Sequence, residues 1–319
     1  MIGRLEIKNF KSIKSLSLQC RRINLLIGQP NVGKSNILEA IGLLSFGCYG
    51  ENLEEFVRLE RISHLFYDED LDDSVVVTFD EKPIEVKAEG GGIFRAKFKG
   101  QTLFTIDVQK SRLERVQMRR TSQLAIFKFY RFRPEKIFPD REVDFLLPPS
   151  GSNLLALLLS HRELRSMASS IFEPFGLRLV LRPQEDKIEV LKYQEDVLIS
   201  YPYFLASDTL QRIIFHLVAV ESNRDSVLAF EEPEAHAFPY YTKLLAERIA
   251  LDEGGNQFFI STHNPYFLLS ILEKAKKEDV SILLTYWEDY QTKADFVLAL
   301  KVASVRPRDI VHEGGRRRS

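Results

Sequence analysis

Cysteine is almost missing from this 319-residue chain. Cys20 and Cys48 are the only two, and they form no C-x-x-C spacing. That excludes a disulfide framework and leaves a zinc ribbon or a dithiol redox motif without its ligands, so both are read as buried thiols. Long apolar runs are missing too: Leu154 to Leu159 is typical of the longest, against the roughly 20 residues a membrane-spanning helix needs. The start, Met1-Ile2-Gly3-Arg4, enters strand pattern without a secretory leader, so a cytoplasmic protein with no membrane partner is expected. Neither sign of charge is in excess. With 44 basic and 45 acidic residues and a net charge of −1, the surface is not the uniformly basic kind that holds nucleic acid by phosphate neutralisation alone. No heptad run lies between Ser35 and Val227, which excludes a long coiled-coil arm.

What is present is a soluble composition, 45% apolar and 28% charged, in a length that accommodates one large domain or two. Its focus is Gly28-Gln29-Pro30-Asn31-Val32-Gly33-Lys34-Ser35, which fits G-x-x-x-x-G-K-[ST]. In that loop glycines let backbone amides turn onto a nucleotide's phosphates, the lysine reaches the β and γ oxygens, and the serine ligates Mg²⁺. Its flanks are what the mechanism requires. Ile23 to Ile27 reads as a buried strand, and Asn36 to Leu44 carries apolar residues at helical spacing. A strand, a glycine turn and a helix N-terminus together make an anion site.

In chain order, Leu5 and Ile7, then Leu16 and Leu18, alternate with polar residues and predict a hairpin before the loop. Glu51 to Asp73 reads as short helices and loop. Four strand-like pieces (75–79, 84–87, 93–98 and 103–108), turned at Glu81-Lys82-Pro83, Gly90-Gly91-Gly92 and Gly100, predict an antiparallel meander. A basic segment, with Lys110, Arg112, Arg115, Arg119 and Arg120, is either a solvated helix face or a nucleic-acid contact. Phe127 to Phe132 alternates as a strand, a helix is expected over 154–169, and a second hairpin over 177–181 and 188–193. A helix from about Ser207 to Ser222 is expected to be capped by Ser207 or Asp208. A further helix over 266–277 and strands over 280–287 and 295–300 follow. The basic tail, Gly314 to Ser319, reads as a frayed end, with nucleic-acid contact as the alternative.

Two further strands end in chemistry. Val227 to Phe230 runs into Glu231-Glu232-Pro233-Glu234, where one carboxylate can enter the Mg²⁺ shell and a second can activate the water that attacks the γ-phosphate. Glu231 takes the first role and Glu232 the second, as general base. Gln257 to Ser261 leads into Thr262-His263-Asn264-Pro265, which puts a histidine where a γ-phosphate would be sensed.

These pieces carry a resemblance. Leu5 to Ile13, the phosphate loop with Asn36 after it, Pro149 to Leu154, the Glu-Glu-Pro-Glu strand with Ala235 to Pro239, and Ser261 to Pro265 together resemble ABC-type ATPases of the broad SMC-like, RecF-like and OLD-like group, in the compact stand-alone form. The resemblance implies an α/β fold of the P-loop NTPase class: a mixed sheet core, an antiparallel β lobe and a helical lobe in a single ABC-type domain over 1–319. Its approximate lobes are 1–130, 131–222 and 223–319. It implies ATP and Mg²⁺ as cofactors, and an ATP-bound homodimer in which each phosphate loop faces a signature segment of the partner. Here that segment is Ala206 to Arg212, with Ser207, Asp208 and Thr209 at the start of a helix. It also implies work on DNA or a partner protein in repair, genome maintenance or phage defence. With 56 residues after His263 there is no room for an appended nuclease, so any cleavage falls to a separate nuclease or helicase chain.

Three positions depart from the group. Glu231 stands where the group carries Asp, the signature segment lacks a glycine near Asp208, and no glutamine lies between Gln29 and Gln101 where a metal-contacting Gln is expected. His64, Asp68 and Glu69 are the polar residues available there. A nucleotide-gated binding module with negligible turnover is the alternative these departures leave. An Era-like GTPase shares Gly-x-Pro-Asn-Val-Gly-Lys-Ser, but that class reads guanine through N-K-x-D, and none follows residue 35. In a competition assay, ATP is expected to displace a labelled nucleotide well below the GTP concentration that does so; the reverse order would assign the loop to the GTPases.

Overall fold

Period-two alternation at the start of the chain folds as it reads. The computed structural model describes residues 1–107, 123–195 and 197–297, and in it β1 (Arg4–Phe10) and β2 (Ile13–Gln19) form a hairpin that buries Leu5, Ile7, Leu16 and Leu18. β3 (Ile23–Ile27) follows, buried at every position, and leads through the glycine loop into α1 (Lys34–Tyr49), which Gly50 ends. Three short 3₁₀ turns occupy the stretch before β4 (Val75–Phe79). β5 (Lys82–Ala88), β6 (Ile93–Phe98) and β7 (Gln101–Asp107) complete an antiparallel sheet in the order β2-β1-β4-β5-β6-β7. The first turn of this meander lies at Asp80-Glu81, both at positive φ (42° and 65°), and Lys82 and Pro83 already pair in β5. A two-residue hairpin that follows the strand twist needs two such residues, which shifts the turn one position from where Pro83 suggested it.

β8 (Phe127–Tyr130) opens the second half. The helix expected over 154–169 is two: α2 (Leu154–Ser160) and α3 (Arg162–Phe172) are separated by His161, which is extended (φ −111°, ψ 108°). The break is held by side chains. His161 Nε2 lies 2.6 Å from the Val143 carbonyl, and Arg165 donates to the carbonyls of Leu158 and Leu159, covering acceptors that a helix end leaves bare. The second hairpin, β9 (Leu177–Arg182) with β10 (Lys187–Gln194), carries a third strand, β11 (Val197–Pro202). Its side chains are largely exposed, so it offers no burial pattern to read.

The remaining elements are α4 (Asp208–Ser222), β12 (Val227–Glu231), α5 (Pro239–Ala250), β13 (Gln257–Ser261), α6 (Pro265–Lys274), β14 (Val280–Glu288) and β15 (Gln291–Val297). No side chain caps α4; Asp208 instead pairs with Arg212 at 3.7 Å. The expected basic segment 110–120, the tail from 314 and residues 298–300 of the last expected strand lie outside the described residues.

The sheet that carries the site has the order β15-β14-β3-β13-β12-β8, parallel throughout except for β15. Both of its faces are covered, so its strands are continuous apolar runs. Leu26, Ala229, Phe259, Phe127 and Phe129 face α1 and the antiparallel sheet, whereas Leu25, Leu228, Phe230, Phe258 and Ile260 face the helices α2 to α6. Cys48 is buried in the first of these cores. Cys20 is half-buried at its margin, and burial pushes its thiol up to about 12. Among the described residues no helix is long and apolar enough to cross a membrane. Phe259 is fully buried in the central strand β13, so Phe259→Ala is expected to cost about 3–5 kcal/mol, read as a lowered midpoint in urea unfolding with an unchanged slope.

Candidate nucleotide site

The parallel register sets the site. Leu26 pairs with Ser261, and Ser261 pairs with Glu231, so β3, β13 and β12 end at one level and release their loops at one edge. The first loop is shaped by positive φ at Gly28 (148°), Asn31 (62°) and Gly33 (92°). Gly33 has no room for a side chain: a Cβ there would sit 1.9 Å from Thr292 Oγ1. At Gly28 a Cβ would sit 2.1 Å from the Thr285 carbonyl oxygen. The β14–β15 hairpin therefore backs the loop directly. Thr292 N donates to the Ser12 carbonyl (2.8 Å), the Ser12 and Thr292 hydroxyls are 2.6 Å apart, and Asn36 Nδ2 donates to Ser12 Oγ at 2.5 Å.

Lys34 Nζ donates to the carbonyls of Gly28 (3.0 Å) and Gln29 (2.7 Å). Burial lowers its ammonium below the ordinary lysine value, opposed by the carboxylates of Glu232 and Glu231. Ser35 Oγ donates to Glu231 Oε1. Glu232 takes a positive φ of 43°, and its amide donates to the Ser261 carbonyl at 3.0 Å. Its Oε1 lies 3.5 Å from His263 Nε2. Burial and the charge of Lys34 hold His263 below the ordinary imidazole value, against Glu232, which keeps the ring neutral at pH 7. Gln29, Pro30 and Val32 of the loop and His263 also line a cleft of about 280 Å³, with Leu268 and Trp287 opposite.

The fit to nucleotide and metal follows from these donors. A loop turned by positive φ at Gly28, Asn31 and Gly33, running directly into the N-terminus of a 16-residue helix whose first amides have no partner within the helix, suits phosphate. A serine hydroxyl and a carboxylate already in contact are hard oxygen donors of the kind Mg²⁺ takes while keeping several waters.

Ser207, Asp208 and Thr209 are not brought to this loop. Ser207 and Thr209 border a separate apolar groove of about 930 Å³, beside Leu205, Phe238 and Tyr240. Thr209 Oγ1 donates to the His236 carbonyl (3.0 Å), joining the start of α4 to the loop after β12. His64 and Glu69 pair with each other instead of reaching the loop, and Glu69 also accepts from Ser63.

The residue that does reach in from that stretch is Arg58, part of a cluster that sequence reasoning missed. Glu39, on α1 and 0% exposed, binds three cations: Lys11 (2.5 Å), Arg58 (2.6 Å) and Arg131 (2.9 Å). Arg58 Nη2 then continues to Glu231 Oε1 at 3.1 Å. The signal was available, since Glu39 is the single charge in the apolar run from Ile37 to Leu44, and a buried carboxylate has to be paired. Removing the shared anion leaves two largely buried cations, Lys11 and Arg131, uncompensated, so Glu39→Ala is expected to destabilise the fold by about 3–5 kcal/mol, measured by urea unfolding.

Two family profiles match: one described as an AAA ATPase domain, over residues 1–96, and one described as an AAA domain, putative AbiEii toxin, Type IV TA system, over residues 123–270. No curated protein sequence matches the chain. Among solved structures, an Smc head bound to the C-terminal winged-helix domain of ScpA aligns at TM-score 0.57 and 17% identity, over 95% of this chain and 99% of that one. An Smc head with an extended coiled coil bound to the C-terminal domain of ScpA, from Pyrococcus furiosus, aligns at 0.55 and 16% identity, over 95% and 98%. At such identities the likeness is one of fold, the α/β P-loop NTPase fold of the Smc head, and the two ATPase-domain profiles each match less than half of the chain.

Proposed function

We propose that the chain is a single ABC-type domain, cytoplasmic in location, that binds ATP with Mg²⁺, hydrolyses it, and dimerises on ATP to act on DNA or a partner protein. The observation that carries this reading is the meeting of Lys34, Ser35, Glu231, Glu232 and His263 at the ends of three adjacent parallel strands. Lys34 and the backbone N–H groups of the loop from Gly28 to Asn36, Pro30 having none, stabilise charge on the γ-phosphate. Ser35 and Glu231 would hold the metal, which when bound would supply charge neutralisation on the phosphates. Glu232 takes the proton of the attacking water, with neutral His263 beside it as a donor or acceptor toward the phosphate.

The separation of Ser207 and Asp208 from the phosphate loop supports engagement in trans, with a second copy bringing the start of α4 to the nucleotide. Arg212 beside Asp208 offsets the carboxylate that would otherwise repel a phosphate there. In this reading DNA repair, genome maintenance or phage defence is the setting, and a separate nuclease or helicase chain supplies any strand chemistry. A second reading, a nucleotide-gated binding module, is favoured by one observation: Arg58 Nη2 lies 3.1 Å from Glu231 Oε1, so a metal at that oxygen has to compete with a guanidinium. Steady-state phosphate release with and without DNA separates the two.

Glu232→Gln is expected to bind ATP as the parent does, to hydrolyse it about 10²–10³-fold more slowly, and to accumulate a dimer in sedimentation with ATP. Parental turnover in that variant would remove Glu232 from the role of base.

A further inference from the structure

Glu234 carries chemistry that the mechanism above leaves unused. It closes the run Glu231-Glu232-Pro233-Glu234 and is 4% exposed. Its two oxygens are unequal. Oε1 accepts from Thr262 Oγ1, whereas Oε2 is buried with no hydrogen-bond partner among the described residues. A buried polar atom without a partner is costly, so the position needs a reason.

Thr262 supplies one. It precedes His263, its hydroxyl accepts from Asn264 N at 3.0 Å while donating to Glu234, and its amide donates to the Leu26 carbonyl of β3 at 3.1 Å. One hydroxyl thus joins the loop after β13 to the loop after β12. Those two loops present His263 and Glu232, 3.5 Å apart, with Glu232 at a positive φ that persists only where its surroundings fix it. We infer that Glu234 is a positioning residue: by holding the Thr262 hydroxyl it locks the two loops together and sets the separation of Glu232 from His263. The inference rests on the hydrolysis reading above.

The latch has a pH signature. Burial pushes the Glu234 carboxyl up to about 7 from an ordinary 4.5. The hydrogen bond from Thr262 acts against that rise, and the charge of Glu232 adds to it. Glu231, Lys34 and His263 are the other titratable groups at this edge. Because the folded value lies above the unfolded one, the folded chain holds its proton longer. Stability is therefore lost as pH rises from about 4.5 to about 7 and stays lower above that. Glu234→Gln keeps an acceptor for Thr262 and cannot ionise.

The test uses the full chain and the variants Glu234→Gln, Glu234→Ala, Thr262→Val and the Ala/Val double variant. ATP turnover and KM are measured across neutral pH, with urea unfolding midpoints over the same range. Glu234→Ala and Thr262→Val are expected to lower kcat about tenfold or more with KM little changed, as small displacements of catalytic groups do. Glu234→Gln is expected to restore kcat to within about twofold and to show a midpoint advantage over the parent that grows up to about pH 7. Parental kcat in Glu234→Ala, or a kcat in Glu234→Gln as low as in Glu234→Ala, overturns the proposal. If the parent shows no turnover, the hydrolysis reading fails by itself, and the latch is judged from the double variant: non-additive midpoints uphold it, and additive ones overturn it.

Discussion

Everything at the site depends on three parallel strands ending at the same level. β3, β13 and β12 are adjacent, buried on both faces and in fixed register. Slippage by one residue would turn every apolar side chain to the opposite core and carry Glu232 and His263 away from the phosphate loop. The two cores hold that register: α1 and the antiparallel sheet press on one face, and the helices press on the other. Packing here is the means by which three loops from distant parts of the chain share one triphosphate-sized edge.

The electrostatics follow the same plan. Lys11, Arg58 and Arg131 gather on Glu39, three positive charges on one buried negative. Arg58 links that reservoir to Glu231. A carboxylate on a strand end and a carboxylate in a helix core are thus parts of one charged layer, and the neutral form of His263 is consistent with its place beside Lys34.

Much of this was legible in the sequence because the informative residues are neighbours along the chain. The glycine loop, the Glu231-Glu232 pair and His263 each follow an apolar run that has to be a buried strand, and the strand ends then fall into place. The Glu39 cluster was not legible in the same way, because its partners are scattered from residue 11 to residue 131 and only the fold assembles them. His161 breaks a helix through contacts with Val143 that no local pattern announces. β11 was overlooked because an exposed edge strand has no alternation to show. The uncapped start of α4 shows the limit of propensity: Ser207 and Asp208 are good capping residues by type, yet Asp208 turns to Arg212 instead.

The bracing of the phosphate loop by Ser12 and Thr292 joins positions 280 residues apart. During synthesis, domains generally assemble from the N-terminal end, but here Gly33 acquires its wall only after β14 and β15 have emerged and paired. A chain still being made has the glycine motif and no support behind it. The loop therefore gains its support only once Thr292 has been made and paired, and that dependence on distant pairing predisposes the molecule to slow folding.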